Sequence, residues 1–397
     1  MLLSLIATAA FVGRTSLGPL QETMRAALAL SDNQMALLQG PPLAIGVLGA
    51  IPLGLLLDRW SRARMILILA SIGVLANGLS VAAHGFALLF VARCLAGLST
   101  ATIWTAILSL LADWYPPTQR GRATMVVSVG AVVGMSGAFA LGGYLISEDG
   151  HGVNAWRFAM LGLGAPVLAG LTLAPALVEP ARVDAGVQLT PRQVYAALWR
   201  YRVQLWPLMV GFALVGGIAD GAAVIWAAPT LAREFALTSD RVGAIMGAVL
   251  LITGVLAPIL GGLLADQAHR RGGPYRTVTM LSGLLFVSVP TGLFPLAPGA
   301  AAASAGLALF LLTGTAYQVA QLTLITIVIP GELRASCMAW TMAMGALFAF
   351  GAAPLLVSQL SVVLGGADRI GLSLAMICFS ASLIGAWLFW HARGAFR

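Results

Sequence analysis

Three charged residues lie within long apolar stretches of the sequence: Arg14, Arg93 and Asp220. A charge inside a membrane-spanning segment is costly and usually marks a substrate or ion pathway. The forked guanidinium donors of Arg14 suit an anionic group. Asp220 is the only acid well inside an apolar stretch. It can bind and release a proton when its surroundings change, so the sequence predicts anion binding and proton coupling as the chemistry of these residues.

Each of these charges also has a structural interpretation. Arg14 and Asp220 could form a fixed ion pair, and Asp220 could be a counter-ion to either arginine. Arg93 lies toward one end of its apolar stretch. We expect Arg93 to take part in proton coupling, or in packing between its own apolar stretch, which is the fourth along the chain (span 4), and the fifth (span 5). We do not expect it to touch a substrate.

Uncharged polar and aromatic side chains provide a second group of candidates. Gln318 and Gln321 are three residues apart, so they share one face of a helix, and Tyr317 lies beside them. Buried glutamines need partners, which substrate contact and hydrogen bonds between helices would supply equally well. Trp104 and Trp226 could stack on a substrate, and Trp226 also suits a membrane interface.

A charged hinge occurs twice in a chain of which only 9% is charged. Residues 54–64 read Gly-Leu-Leu-Leu-Asp-Arg-Trp-Ser-Arg-Ala-Arg, and residues 262–266 read Gly-Leu-Leu-Ala-Asp. The second copy follows about half a chain length after the first. This repetition predicts two similar bundles joined in tandem.

The elements that carry these residues are predicted from apolar length. The chain has 397 residues, 59% of them hydrophobic, with a mean hydropathy of +0.94. A soluble protein of this size would need far more charge on its surface. Segments of roughly 20 apolar residues, enough to span a membrane, lie near residues 2–22, 35–57, 65–83, 86–112, 123–146, 156–178, 204–230, 242–264, 277–296, 301–329, 336–360 and 369–391. We therefore predict an all-α membrane protein with twelve transmembrane helices.

One longer polar connection divides these spans six and six. We predict an N-terminal six-helix bundle over residues 1–178, a linker over 179–203 and a C-terminal six-helix bundle over 204–397. Arginines are concentrated in the linker and in the loops after even-numbered spans. Because positive charge favours the inner side, both termini and the linker are expected in the cytoplasm.

Several other function classes are not supported by the sequence. Cys94, Cys337 and Cys378 have no metal-ligand spacing, so we expect neither a disulfide framework nor a metal site. No Walker-type phosphate loop occurs, and we expect no cofactor. The net charge of +8 forms no basic face, which argues against nucleic-acid binding. The apolar N-terminus is interpreted as the first span rather than a cleaved signal.

A membrane-embedded enzyme would need a Ser/His pair or a metal-binding group at one depth. The four histidines instead lie in loops or at segment ends: His84, His151, His269 and His391. We therefore expect no enzymatic activity.

The chain resembles the major facilitator superfamily over its whole length, through the twelve spans, their equal division and the repeated Gly-x-Leu-x-Asp hinge. Arg93-x-x-x-Gly97 resembles the family's intramembrane arginine motif, and Asp113-Trp-Tyr-Pro-Pro-x-x-Arg120 resembles the loop after its fourth span. The resemblance implies two pseudo-symmetric six-helix bundles that rock around a central site. Spans 1, 4, 7 and 10 would line that site.

The same resemblance implies a cytoplasmic gate. In the family, the aspartate matching Asp58 faces a helix N-terminus in the other half, here the start of span 11 near Ser336. A helix dipole favours negative charge at that end. The expected gate residues are Asp58, Arg62, Arg64, Asp113, Arg120, Arg122 and Asp266. Arg62 and Arg64 are expected to reach Asp113 at the end of span 4. The alternative is that these arginines only follow the positive-inside bias.

Residues 28–40 and 261–266 are similar to bacterial Spinster-like transporters within the family. Two positions differ, because Gly13 replaces the acid that precedes the arginine of span 1, and Leu98-Ser99-Thr100 lacks the glutamate of span 4. The lipid-like substrates and coupling acids of that subgroup are therefore not carried over. Span 5 has the spaced glycines of family antiporters without their Gly-Pro pair.

We expect a secondary active transporter with alternating access, coupled to protons through Asp220, that moves a small organic anion or amphipathic molecule across the bacterial inner membrane. Two arginines against one acid favour an anion. The alternatives are a multidrug or metabolite exporter without anion preference and a lysolipid transporter of the Spinster-like kind. The expected partners are the substrate, the lipid bilayer and protons, and the expected state is a monomer.

Overall fold

The computed structural model describes residues 1–57, 60–147, 152–179 and 199–397. These parts of the chain are almost entirely helical, which confirms the predicted all-α class. Asp58 of the predicted gate and most of the predicted linker lie outside the described residues.

The helices are numbered here in chain order. The first half contains α1 (Leu2–Thr15), α2 (Leu17–Ala27), α3 (Asp32–Gln39), α4 (Pro41–Leu57), α5 (Arg62–Val81), α6 (Phe86–Trp114), α7 (Pro117–Ser147) and α8 (Ala155–Leu173). The second half contains α9 (Arg202–Gly211), α10 (Asp220–Glu234), α11 (Ser239–Thr291), α12 (Ala300–Val328), α13 (Gly331–Ala346), α14 (Ala353–Val363) and α15 (Ile370–Ala392). Two π-helical segments, Phe212–Ala219 and Leu347–Ala352, continue α9 into α10 and α13 into α14.

Ten helical stretches of the described chain are long and apolar enough to cross a membrane. The difference from the twelve predicted spans has two sources. Predicted span 2 is divided between α3 and the 17-residue α4, because proline at position 41 cannot donate a backbone hydrogen bond. Predicted spans 8 and 9 form one stretch, Ser239–Leu296. It is kinked at Gly273, whose φ of 62° lies in the left-handed region that glycine adopts without strain.

The chain forms two compact units. The first comprises Met1–Asp184 with Leu231–Leu251, and the second comprises Ala185–Thr230 with Ile252–Arg397. The predicted bundle boundaries at residues 178 and 204 stay a prediction.

Each unit has its own packed interior. In the first, Ile6 of α1, Ile66 of α5 and Ile107 of α6 belong to one buried cluster. In the second, Leu281, Leu324 and Phe389 do the same. Lipid tails are as apolar as these side chains, so dispersion contacts rather than water exclusion favour this packing within a bilayer.

The glycines of span 5 are explained by close packing of α7 on α1. A Cβ added at Gly130 would overlap Ser4, and one added at Gly134 would overlap Thr8. The α1 side chains bond back to α7, since Thr8 Oγ1 donates to the Gly130 carbonyl at 2.9 Å. Small residues here allow two backbones to approach closely, as in other membrane helices.

Candidate functional site

Asp220 lies at the point where the π-helical segment of span 7 returns to α-helix. Its side chain is buried, and its Oδ2 accepts a hydrogen bond from Gln318 Nε2 at 2.6 Å. Its Oδ1 has no hydrogen-bond partner among the described residues. A buried carboxylate with one oxygen unsatisfied is costly, so the site favours a proton or another donor at that oxygen.

Glycine makes this pair of side chains possible. A Cβ added at Gly314 of α12 would meet both carboxylate oxygens of Asp220, and one added at Gly216 would lie 2.9 Å from the side chain of Gln318. Larger residues at either position would therefore separate span 7 from α12. The two glycines hold the carboxylate and the amide at hydrogen-bonding distance.

The other polar residues of α12 also contact neighbouring helices. Gln321 is buried, and its Nε2 donates to the carbonyl of Leu208 in α9. The ring of Tyr317 packs edge-to-face on Phe389 of α15, with centroids 5.6 Å apart. These contacts show hydrogen bonding and packing between helices. Contact of Tyr317, Gln318 or Gln321 with a substrate stays a prediction.

Trp226 is fully buried in the second unit, and its indole Nε1 donates to the Pro354 carbonyl at 3.1 Å. With no exposed surface, the Trp226 side chain packs against protein, and its alternative place in an interfacial belt stays a prediction. Its predicted stacking on a substrate is not tested by these contacts.

Arg93 binds the point where span 1 is broken. Helix α1 ends at Thr15 and α2 begins at Leu17, so the last carbonyls of α1 need other partners. Arg93 is buried, and its Nη1 donates to the Gly13 carbonyl at 3.2 Å and to Ser16 Oγ at 3.3 Å. Its Nη2 donates to the Arg14 carbonyl. A cation at a helix C-terminus is also favoured by the helix dipole. Proton coupling by Arg93, or its packing between spans 4 and 5, stays a prediction.

Arg14 and Trp104, two predicted substrate residues, are linked through Phe11. The guanidinium carbon of Arg14 lies 5.4 Å from the Phe11 ring centroid, which permits a cation–π contact. The rings of Phe11 and Trp104 meet edge-to-face at 5.5 Å. The structure thus brings these residues of spans 1 and 4 together within the first unit.

Arg62 joins three helix ends of the first unit. It is 4% exposed, and its Nη1 lies 2.5 Å from Asp113 Oδ2 at the end of α6. Its Nε donates to Glu179 Oε1 at 3.0 Å. Its Nη1 also donates to Ser109 Oγ at 3.0 Å. The predicted approach of Arg62 to Asp113 is present, whereas Glu179 was not among the predicted gate residues.

Glu179 caps the start of α5. Its Oε2 accepts from the Ala63 backbone N–H and from Ser61 Oγ, both at 2.9 Å. Burial by itself raises the pKa of this carboxyl. Hydrogen bonds from the Ala63 backbone and from the Arg62 and Ser61 side chains outweigh that effect, so the pKa of Glu179 lies below its ordinary value.

The remaining predicted gate residues are not in this network. Arg64, Arg120, Arg122 and Asp266 are exposed and form no ion pair among the described residues. Arg120 Nε donates instead to the Tyr115 carbonyl at 3.1 Å. The gate role of these residues, like that of Asp58, stays a prediction.

A second charged cluster was missed by the sequence analysis. Arg233 at the end of α10 donates to both oxygens of Glu22, at 2.9 and 2.7 Å. It also donates to both oxygens of Asp32, at 3.0 and 2.7 Å. Arg25 Nε lies 3.6 Å from Glu22 and 3.8 Å from Asp32. These four residues are called here the Arg233 cluster. All of them lie in the first unit.

A signal for the Arg233 cluster was present in the sequence. Pro19 to Asp32 is echoed by Pro229 to Asp240, and both segments follow an odd-numbered span and carry arginines beside acids. Arg233 and its acids are separated by 211 and 201 residues, so their pairing could not be read from local spacing.

The described chain combines ten helical stretches long and apolar enough to cross a membrane, two compact units and charged residues buried between helices. This combination is typical of polytopic membrane proteins. The sequence matches the Major Facilitator Superfamily over residues 3–353. The chain belongs to this family, which confirms the prediction. Membership in this family points to a multi-pass membrane transporter rather than an enzyme.

Two curated relatives match parts of the chain. The probable nitrate/nitrite transporter NarK2 of Mycobacterium tuberculosis is 35% identical over 119 residues, which cover 29% of this chain and 30% of that protein. The facilitated glucose transporter member 12 of solute carrier family 2 from Danio rerio is 31% identical over 180 residues, which cover 45% of this chain and 28% of that protein. The matches thus span less than a third of either relative.

Solved structures match nearly the whole chain. A bacterial homolog of the human lysosomal transporter Spinster, in an inward-facing and unoccupied conformation, aligns with a TM-score of 0.85 and 21% identity over 100% of this chain and 96% of that one. A D-xylose–proton symporter aligns with a TM-score of 0.73 and 15% identity over 98% and 96%. At these identities, the likeness shows the family fold.

Proposed function

We propose that this chain is a proton-coupled secondary transporter that moves a small organic anion or an amphipathic acid by alternating access. We place it in the bacterial inner membrane as a monomer, with both termini in the cytoplasm because of the arginine distribution. The observation that carries the proposal is the buried Asp220 carboxylate. One of its oxygens is bonded to Gln318, and the other is unsatisfied among the described residues.

Asp220 is suited to a proton that is bound and released during transport. In the arrangement described, protonation at Oδ1 would leave the bond from Gln318 to Oδ2 intact. A change in the surroundings of span 7 that brings water or a cation to the carboxylate would favour loss of that proton. The π-helical segment directly before Asp220 supports this role, since such segments occur frequently at functional sites.

Arg14 is the residue to which we assign the anionic group of the substrate. The guanidinium carbon of Arg14 lies 5.4 Å from the Phe11 ring centroid, and the Phe11 ring meets that of Trp104 edge-to-face. These two rings form an aromatic surface that suits a partly apolar molecule. The partial match to a nitrate/nitrite transporter agrees with an anion. From this partial match we infer only the negative charge of the substrate, not its identity.

Proton coupling is tested by Asp220→Asn in proteoliposomes. The amide preserves the shape and a contact to Gln318 but cannot carry the proton, so accumulation driven by a pH gradient should fall to the level of empty vesicles. Asp240→Asn is the matched control, because Asp240 is exposed and should leave uptake unchanged. Full gradient-driven accumulation by Asp220→Asn would overturn the coupling proposal.

The substrate class is tested by a thermal-shift screen of the purified chain against organic acids, lysolipids, siderophores, drugs and sugars. Sugars are included because one relative is named a glucose transporter. We expect an organic acid to raise the melting temperature of the wild type, and Arg14→Ala to abolish that shift. A ligand whose shift is equal in both proteins would contradict the anion assignment and favour an exporter without anion preference.

A further inference from the structure

A groove of about 560 Å³ lies in the first unit where the start of α1, the end of α6 and the start of α7 meet. Its volume is within the roughly 300–1,000 Å³ typical of small-ligand sites. Leu2, Leu3, Leu111 and Val127 form apolar walls. Because α6 ends and α7 begins beside it, the groove is placed near a membrane surface.

The charged side chain in the described lining of this groove is positive. Arg122 lines it and is exposed, and the described lining contains no acid. Arg120, two residues earlier, is also exposed. Asp113, the acid at the end of α6, is already paired with Arg62. The groove therefore offers a cation to an anionic group.

An apolar strip on α7 leads away from the groove. Val126, Val129 and Val133 are 48%, 41% and 45% exposed. Their spacing of three and four residues puts them on one helical face. Trp114 and Tyr115, where α6 ends, also line the groove. Aromatic rings of this kind favour the level of the lipid headgroups.

We propose that this groove binds an anionic phospholipid of the inner leaflet, with its phosphodiester at Arg122 and an acyl chain along Val126, Val129 and Val133. A soluble anion has no acyl chain to contact the exposed valines, and a zwitterionic lipid has no net negative charge to pair with the arginines. Juxtamembrane arginines are attracted to anionic lipids by about 1 kcal/mol each. This proposal does not rest on proton coupling at Asp220 or on substrate binding at Arg14.

The test is a titration of the purified full chain in detergent, followed by native mass spectrometry. Phosphatidylglycerol and phosphatidylcholine with identical chains are compared, with inorganic phosphate as a third arm. We expect phosphatidylglycerol to bind more tightly than phosphatidylcholine and inorganic phosphate to compete poorly. Arg122→Ala should raise the apparent Kd for phosphatidylglycerol about fivefold, the loss expected for one such arginine.

Arg270→Ala is the matched control, since Arg270 is an exposed arginine of a loop predicted on the same side of the membrane. It should leave the Kd unchanged. Val126→Trp keeps the charge but fills the groove, and it should also weaken binding. Equal binding of the two lipids, or equal Kd values for Arg122→Ala and Arg270→Ala, would overturn the proposal. Competition by inorganic phosphate as strong as by the lipid would assign the site to a free anion.

Discussion

Arg62 pairs with two acids through a single buried guanidinium, one at the end of α6 and one in the non-helical segment that follows Ala176. Asp113 and Glu179 are 14% and 28% exposed, so both are partly withdrawn from water. Removing one member of such a network leaves the others as uncompensated charges, which costs more than the net worth of any single contact. Arg62 is therefore a structural centre of the first unit, whatever part it has in gating.

Arg62→Ala tests this interpretation. We expect the free energy of unfolding to fall by about 3 kcal/mol, because two partly buried carboxylates lose their shared counter-ion. Thermal unfolding in detergent measures the change. Arg64→Ala serves as the control, since Arg64 is exposed and without an ion pair in the described chain. Equal melting temperatures for the two variants would contradict a structural role.

Glu179 predicts a pH dependence. Its pKa is lowered by the hydrogen bonds at the start of α5, so its contribution to stability is complete above the unfolded pKa of about 4.3. That contribution is lost as the pH falls through the folded value. Glu179→Gln should therefore melt below the wild type at pH 7, and the two melting curves should converge in acid. Curves that stay parallel down to pH 3 would disagree with this account.

At the scale of single residues, the sequence predicted contacts between residues of known family motifs. It did not predict contacts between residues that are far apart in the chain and share no motif. The approach of Arg62 to Asp113 followed from the resemblance. Glu179 could not be assigned, because it follows Arg62 by 117 residues and no local spacing connects them. The bond between Asp220 and Gln318 was missed for the same reason, although each residue had been singled out separately.

The two π-helical segments of the second unit pack against each other. A Cβ added at Gly221 would lie 2.7 Å from the Cα of Ala349, and one added at Gly217 would lie 2.8 Å from Phe348 Cβ. Asp220 lies between these two glycines in sequence. The position of the carboxylate therefore depends on how closely span 7 approaches span 11.

Gly221→Ala tests this dependence on packing. The added methyl group meets backbone that cannot move aside easily, so we expect a loss of about 1–3 kcal/mol in stability. Transport should fall as well, because Asp220 is displaced. Gly283→Ala provides the control, since nothing lies within 4 Å of a Cβ at that helical position. It should be neutral or slightly stabilising. An equally mild effect of both substitutions would show that the close approach is dispensable.

At the scale of elements, apolar length predicted where helices occur but not where they change form. Span 1 is interrupted at Ser16 and span 7 contains a π-helical segment, yet both stretches are long and apolar enough to cross a membrane. The interruption depends on Arg93, which lies 80 residues after Gly13 and binds its carbonyl. Breaks and π-helical segments within a span depend on contacts with residues of other helices. The hydropathy of a stretch does not indicate which residues those are.

At the scale of the whole molecule, the Arg233 cluster connects α10 with α2 and α3. Arg233 comes from the second half of the sequence, and its acids come from the first. All four residues lie in the first compact unit, and under the proposed alternating access we expect their contacts to break and re-form once per cycle. They would then act as an ionic lock on the outer side, where the arginine distribution places them.

Arg233→Gln tests the lock. Without the shared counter-ion, we expect the arrangement described here to be less populated and Gln21→Cys, at a position that is 1% exposed, to react faster with an impermeant maleimide. Loss of a contact worth about 1 kcal/mol gives about a fivefold increase in rate. The reaction is compared in a background without native cysteines. Arg241→Gln removes an exposed arginine at the start of the next helix, α11, and should not change the rate. Equal maleimide reaction rates with and without Arg233→Gln would exclude the lock.

The contacts of Arg62 also set an order of events during synthesis. Glu179 leaves the ribosome 117 residues after Arg62, which takes about 6–23 s at roughly 5–20 residues per second. Throughout that interval, the start of α5 lacks the carboxylate that caps Ala63 and Ser61. The first unit can therefore complete this group of contacts only when the sixth span has been synthesised. A nascent chain that stalls after span 5 would have Asp113 to pair with Arg62 but would lack Glu179, so the start of α5 would stay without its carboxylate cap.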